Sequence, residues 1–164
     1  MARFAFKGME EWALKLSLAV SDTEAICGAA IYDMADIVAD QIRANLEALE
    51  AVPDTESLEA SRKGTAHALT VSEKKGLENS LGISSMQCDD GYYNVKVGFD
   101  GYNEIKTKSY PQGQPNVMIA RATESGSSVR EKTPFIAPAI KSAKKAAIEA
   151  GRKRIDEELE KRMK

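Results

Sequence analysis

The side chains able to do chemistry are few in this sequence, and they do not fall into reactive patterns. His67 is the single histidine. It stands between Ala66 and Ala68 in a polar stretch, with no serine or cysteine motif that would make it the base of a nucleophilic pair. Cys27 falls within an apolar-periodic segment, where a small buried hydrophobe is the ordinary role. Cys88 is followed by Asp89 and Asp90, whose negative charge disfavours a thiolate. There is no CxxC, no HExxH and no calcium loop of alternating acidic ligands, and Asp89-Asp90 reads as a pair facing water on a turn. Gly98 and Gly101 precede no GK[ST] and open no helix, so they make no phosphate loop. The expectation is a protein with no catalytic residue, no cofactor and no metal, and not an enzyme.

Charge is the next place to look for a partner. The net charge of -2 hides an asymmetry. Residues 1–60 carry Arg3, Lys7, Lys15 and Arg43 against twelve acidic residues, a net of -8, which leaves +6 on residues 61–164. Such polarity predicts either head-to-tail packing of identical subunits or two solvated helix faces of opposite sign. Lys141, Lys144, Lys145, Arg152, Lys153 and Arg154 cluster near the C-terminus, as phosphate contacts would require. The interleaved Glu149, Asp156, Glu157, Glu158 and Glu160 weaken that field, and no recognition helix or stacking platform accompanies it. A solvated or subunit-facing helix is the better reading.

The elements that must position these residues follow from length and periodicity. The 164 residues, 43% apolar and 29% charged, predict one domain over 1–164 with a core of its own. Two distant cysteines and no secretory pattern fit a reducing compartment. No apolar run approaches the roughly 18 residues of a membrane span. Phe4 and Phe6 predict a short strand ended by Gly8, and Met9, Trp12, Leu16 and Val20 a short helix. Ser21-Asp22-Thr23-Glu24 has the form of a capping box ahead of a long helix, about Thr23 to Glu50, closed by Pro53. The polar, turn-rich stretch 53–76 reads as a long mobile loop with at most a short helix near Ser57–Lys63. Leu81–Met86 and Tyr93–Phe99 alternate around Cys88-Asp89-Asp90-Gly91, a β-hairpin. Loop 101–115 follows. Periodicity leaves Val117–Arg121 as a further strand or a short helix. A last helix runs from about Pro138 to Met163, where Ala143, Ala147 and Gly151 permit close approach. The fold class is α+β, a small mostly antiparallel sheet packed by two main helices, with long mobile loops.

Read in order, four landmarks resemble the small neck and tail-completion proteins of long-tailed bacteriophages, the gene-product-ten-like family. They are Phe4-Ala5-Phe6-Lys7-Gly8 with a following amphipathic segment around Leu14 or Leu16, and the helix from Thr23 to Glu50. Next come Gly76-Leu77-Glu78-Asn79-Ser80-Leu81 and, most specifically, Glu124-Ser125-Gly126-Ser127 with Pro134-Phe135-Ile136-Ala137-Pro138-Ala139. Pro134 keeps Thr133 extended, Phe135 anchors in the core, and Pro138 is expected near the first helical position. Two departures stand out. The 53–76 connection is longer than the family's, and Thr133 replaces an arginine that often precedes Pro-Phe.

The resemblance implies a structural protein of the virion neck, assembled in the host cytoplasm. It would form a six- or twelve-fold ring that completes the tail or joins it to the head connector. The implied partners are further copies of itself, connector or stopper, tail terminator and tail tube proteins, with packaged DNA nearby and no membrane. Glu124, Gly126, Pro134, Phe135, Pro138, Arg152 and Arg154 are the expected interface residues. Loops 53–76 and 101–115 are expected to order on docking, so that residues 57–74 would be dispensable for folding. A minor capsid or connector-adaptor protein is the alternative, and a DNA-binding domain a more distant one.

Overall fold

The apolar spacing of the sequence is realised mainly as helix in a computed structural model, which describes residues 21–163. The expected strand at Phe4–Phe6 and the helix at Met9–Val20 lie outside the described residues. In chain order the elements are α1 (Thr23–Glu47), α2 (Asp54–Lys63), α3 (Val71–Ser80), β1 (Leu81–Ile83), β2 (Gln87–Asp89), β3 (Tyr92–Asn94), β4 (Val97–Phe99), α4 (Asn116–Ser125) and α5 (Ile136–Met163). The class is α+β.

α1 and α5 form an antiparallel pair. Asp22 at the start of α1 meets Arg162 near the end of α5 at 3.0 Å. Further along, the Asn45 amide donates to the Phe135 carbonyl at the beginning of α5, also at 3.0 Å. Midway, a Cβ on Gly151 would lie 2.5 Å from the Met34 sulfur. The helices approach because Ala30, Ala143, Ala147 and Gly151 leave the seam nearly bare of side chain. Of the two long helices, α1 packs against β1, β3 and β4, whereas α5 packs mainly on α1; α3 and α4 also reach β4. The box expected at Ser21–Glu24 does not cap α1, since Asp22 occupies the cap position with no side-chain cap bond.

Residues 53–76 are not a mobile loop. α2 carries Asp54 and Glu56 in its first turn, Arg62 and Lys63 in its last, and ends on Gly64 at φ +66. Those charges complement the helix dipole, and glycine alone takes the left-handed turn cheaply. The capping box forms at α3 instead. Thr70 accepts from the Glu73 N–H at 3.4 Å, and the Glu73 carboxylate accepts from the Thr70 N–H at 3.0 Å. Leu69, Thr70, Glu73 and Leu77 are all buried there. Val52 pairs with this stretch through backbone bonds of 2.9 and 3.0 Å to Leu69 and Val71. Lys74 Nζ donates to the Glu47 and Leu49 carbonyls, at 2.8 Å each, which satisfies groups left open at the end of α1.

The hairpin between Leu81 and Phe99 is present as two short antiparallel ladders, β1 with β4 and β2 with β3. Ile83 faces Val97 while Gln87 faces Asn94, so residues 84–86 oppose only 95–96 and form a bulge. The turn is Asp90-Gly91 alone, both at positive φ (52 and 84), as a tight hairpin with matching twist requires. Cys88 and Asp89 belong to β2. Val117–Arg121 is helix, not an added strand. Ile119, Ala120 and Thr123 recur at helical spacing and are buried, and the Thr123 hydroxyl returns to the Ile119 carbonyl at 2.9 Å. The core gathers Ile42, Leu46, Leu69, Leu77, Ile119, Phe135 and Ala139. Phe135 meets Phe99 edge-on, with ring centroids 5.9 Å apart.

Candidate functional site

The most specific sequence motif folds into one device at the α4–α5 junction. Glu124 sits in the last turn of α4, where its own helix dipole disfavours a negative charge. Its carboxylate instead faces the start of α5, accepting from the backbone N–H groups of Phe135 and Ile136 at 2.8 Å and Ala137 at 2.9 Å. Pro138 is next and has no N–H to satisfy, so the open donors of the helix start are accounted for. Pro138 is therefore the third residue of α5, not the first, because α5 begins at Ile136. Burial alone would raise the Glu124 carboxyl. The three N–H groups and the Lys132 charge outweigh it and hold the group below the usual glutamate range.

Gly126 turns the chain out of α4 at φ 77 and ψ 162, a conformation that side chains resist. A Cβ there would meet Lys132 Cβ at 3.0 Å. The Thr133 N–H donates to the Thr123 carbonyl at 2.7 Å, and Ser127 and Arg130 bond across their own turn. Phe135 is buried at 1% exposure and Pro134 is exposed. Glu124, Gly126, Pro134, Phe135 and Pro138 are thus brought together; Glu124, Gly126 and Phe135 make their contacts inside the molecule, while Pro134 and Pro138 are exposed.

Arg152 and Arg154 are not part of this cluster. They stand sixteen and eighteen residues along α5 from its start, about 24–27 Å away. Arg154 pairs with Asp33 of α1 at 3.7 Å and with Glu158 at 3.5 Å. Arg152 is exposed, with no ion pair among the described residues. Beyond them, Glu158 is pulled down to about 2, chiefly by the Lys161 and Arg162 side chains that bond it.

A second constellation went unread in the sequence. Arg130 and Glu73, both 5% exposed at the side chain, form a bidentate pair. One of its bonds, from Arg130 Nη1 to Glu73 Oε2, is 2.6 Å, and the other joins Nη2 to Oε1. The same Nη1 donates to the Ala68 carbonyl at 3.1 Å. Burial pushes the Glu73 carboxyl up, but the bonds and charge of Arg130, with Thr70, prevail and lower it. The pair locks the loop after α4 onto α3. Thr70-Val71-Ser72-Glu73 was the legible signal, since it has the spacing of a capping box. His67 lies in the same layer, where its backbone bridges Val129 and Glu131 and its Nδ1 is 2.8 Å from the Ala68 carbonyl.

A groove of about 730 Å³ lies between α3 and residues 100–104. Gly76 lets α3 approach Asn103 and Asn116, since a Cβ would meet the Asn116 Oδ1 at 3.1 Å. Among the described residues, no three His, Cys, Asp or Glu side chains gather as metal ligands. No helix among them is long and apolar enough to cross a membrane. Comparison with protein-family models, curated proteins and solved structures finds no match to this chain.

Proposed function

We propose that this chain is a structural subunit of the neck of a long-tailed phage. With further copies of itself it builds a six- or twelve-fold ring that completes the tail or joins it to the head connector. The observation that carries the reading is the physical unity of the most specific landmark. Glu124-Ser125-Gly126-Ser127 and Pro134–Ala139 lie apart in sequence, yet Glu124 caps the helix that the second segment opens. A motif of this kind fixes how a long helix leaves a core, which suits a protein whose work is geometric. The rigid α1–α5 pair is a scaffold, and exposed Leu58, Tyr92, Tyr102, Val117 and Val129 are apolar groups available to neighbouring rings. Connector or stopper, tail terminator and tail tube proteins are the corresponding partners.

The test is genetic and visual. Particles made without this chain should accumulate as separate heads and tails, and electron microscopy of complete virions should show its fold between portal and tube. Infectious joined particles lacking it, or a neck density with no copy of it, would refute the reading. Residues 57–74 are unsuitable for a deletion test, because Leu69, Thr70 and Glu73 are buried there. Leu58→Asp, on an exposed side chain, probes that segment without opening the core.

A further inference from the structure

We infer that the outer edge of β4 is a docking site for an extended, acidic segment of a partner protein, which adds to the sheet as a third strand. The edge is open whether or not the chain builds a phage neck, so binding here and neck assembly can fail separately. The sheet of β1 and β4 has two strands, and its hydrogen bonds fix which way each backbone group points. The Ser84 N–H donates to the Lys96 carbonyl at 2.8 Å, and the Asp100 N–H to the Ser80 carbonyl at 3.0 Å. With Gly82 opposite Gly98, the bonded pairs of this antiparallel ladder fall at residues 96, 98 and 100 of the second strand. Val97 and Phe99 therefore aim their N–H and C=O groups away from β1, where these meet no partner among the described residues. Their side chains pack against the core, while Lys96 and Gly98 face solvent.

A trough of about 290 Å³ runs along that edge. All of β4 lines it and none of β1 does, which places it on the outer side of the strand. Val117, Arg121 and Ser125 of α4 make the opposite wall. Ile42 and Ala120, both buried, make the floor with Ile136. Glu124 also borders it, but its carboxylate is held by three N–H groups of α5. One end is closed by the chain itself, since the Asn116 N–H donates to the Gly101 carbonyl at 3.0 Å. An open strand edge facing a helix across an apolar trough is the setting in which peptides bind by strand addition. Folded proteins ordinarily cover or blunt such an edge.

Main-chain pairing and charge decide the occupant. A helix or an acyl chain fills the trough but leaves the edge groups of Val97 and Phe99 unpaired. An extended segment satisfies them all. In an antiparallel strand, the residues opposite Val97 and Phe99 turn their side chains into the trough, and those between turn outward beside Lys96. Lys96 and Arg121 are exposed and make no ion pair among the described residues, so carboxylates suit the outward positions. Asp100 shares that face at the other end of β4, where it accepts from the Gly101 N–H at 2.7 Å. The partner segment thus alternates apolar and acidic residues, with an acid opposite Lys96.

The probe is the labelled peptide acetyl-Glu-Val-Glu-Ile-Glu-Val-amide, titrated with the full chain by fluorescence polarisation. Saturable binding is expected. Lys96→Glu with Arg121→Glu should weaken it at least roughly tenfold, as should Val117→Asp on the exposed rim. A peptide with lysine in place of each glutamate should bind wild type less well and the double variant better. Two N-methylated peptides isolate the main chain. Methyl groups on the Val and Ile nitrogens remove the donors that an antiparallel strand uses; on the Glu nitrogens they remove those of a parallel one. One set should abolish binding, and the other should leave it within about threefold. Hydrogen exchange by NMR reads the edge itself. The Val97 and Phe99 amides should exchange freely in the free chain and slow at least roughly tenfold at saturation, while the Gly98 amide is protected in both.

No binding up to about 1 mM peptide would overturn the inference, as would equal effects of the two methylations. So would a basic peptide that binds wild type as well as the acidic one does. Val97 and Phe99 amides already protected in the dilute free chain would show the edge to be covered. Protection that grows only as the free chain is concentrated would give the edge to a second copy and overturn the partner segment. A virion neck without the chain would sink the neck reading and leave this edge as it is.

Discussion

Replacing Glu124 isolates the device that starts α5. Its carboxylate is the acceptor for three backbone donors at 2.8–2.9 Å, so Glu124→Ala strands the N–H groups of Phe135, Ile136 and Ala137 together. Loss of a side-chain cap costs about 1 kcal/mol, and loss of a partly buried negative charge at a helix start up to about 2. The sum, about 2–3 kcal/mol, corresponds to a fall in Tm of roughly 5–10 °C for a chain of this length. Glu124→Gln keeps an acceptor oxygen without the charge and should lose about half as much. The neighbouring Glu131, exposed and without an ion pair among the described residues, serves as the control; Glu131→Gln should stay within about 0.5 kcal/mol.

The acid dependence has a definite sign. The folded carboxyl lies below its ordinary value, so the unfolded chain binds the proton first as pH falls. Glu124 therefore contributes fully above the usual glutamate range and loses that contribution as pH drops through the lowered value. The Tm gap between wild type and Glu124→Ala should be widest at neutral pH and shrink in acid. Thermal melts by circular dichroism across that range measure it. A Glu124→Ala protein melting within about 1 °C of wild type at pH 7 would refute the capping argument.

Two further outcomes follow from buried contacts. Arg130→Met leaves Glu73 charged in the core and should cost about 3–5 kcal/mol by denaturant titration. Glu73→Leu added to it should restore most of that, short of the Thr70 cap that Glu73 also supplies. Gly151→Leu places a side chain where a Cβ already lies 2.5 Å from the Met34 sulfur, and should lower stability by about 1–3 kcal/mol. Met34→Ala in the same chain should recover part of it, and additive losses would contradict the seam described here.

Helix α1, the hairpin and the C-terminal helix were legible because each announces itself locally, through period or turn residues. The tight turn at Asp90-Gly91 and the close approach at Gly151 follow from residue size alone. Residues 53–76 were misread for an equally physical reason. Their helices are short and polar, and Leu69, Thr70 and Leu77 are buried only because Val52, Arg130 and the end of α1 close over them. No window of sequence contains those partners. Val117–Arg121 was ambiguous because its two buried residues, Ile119 and Ala120, span too few turns to fix a period. At the candidate site, the motif was visible as a string of residues. Its mechanism, a carboxylate reaching across to another helix, depends on contacts eleven to thirteen residues apart.

The charge asymmetry of the chain shows how folding sorts what composition only sums. Acidic α1 and basic α5 lie side by side, so part of the imbalance is neutralised along their seam, as at Asp33 with Arg154 and Asp22 with Arg162. Had the seam absorbed every charge, head-to-tail attraction between copies would have nothing to act on. It does not, because a helix has more than one face. Each partner has a side turned from the other, where Asp36 and Glu47, Lys141 and Arg152 remain exposed. Surface charges of this kind govern the approach and register of subunits more than the final strength of their contact.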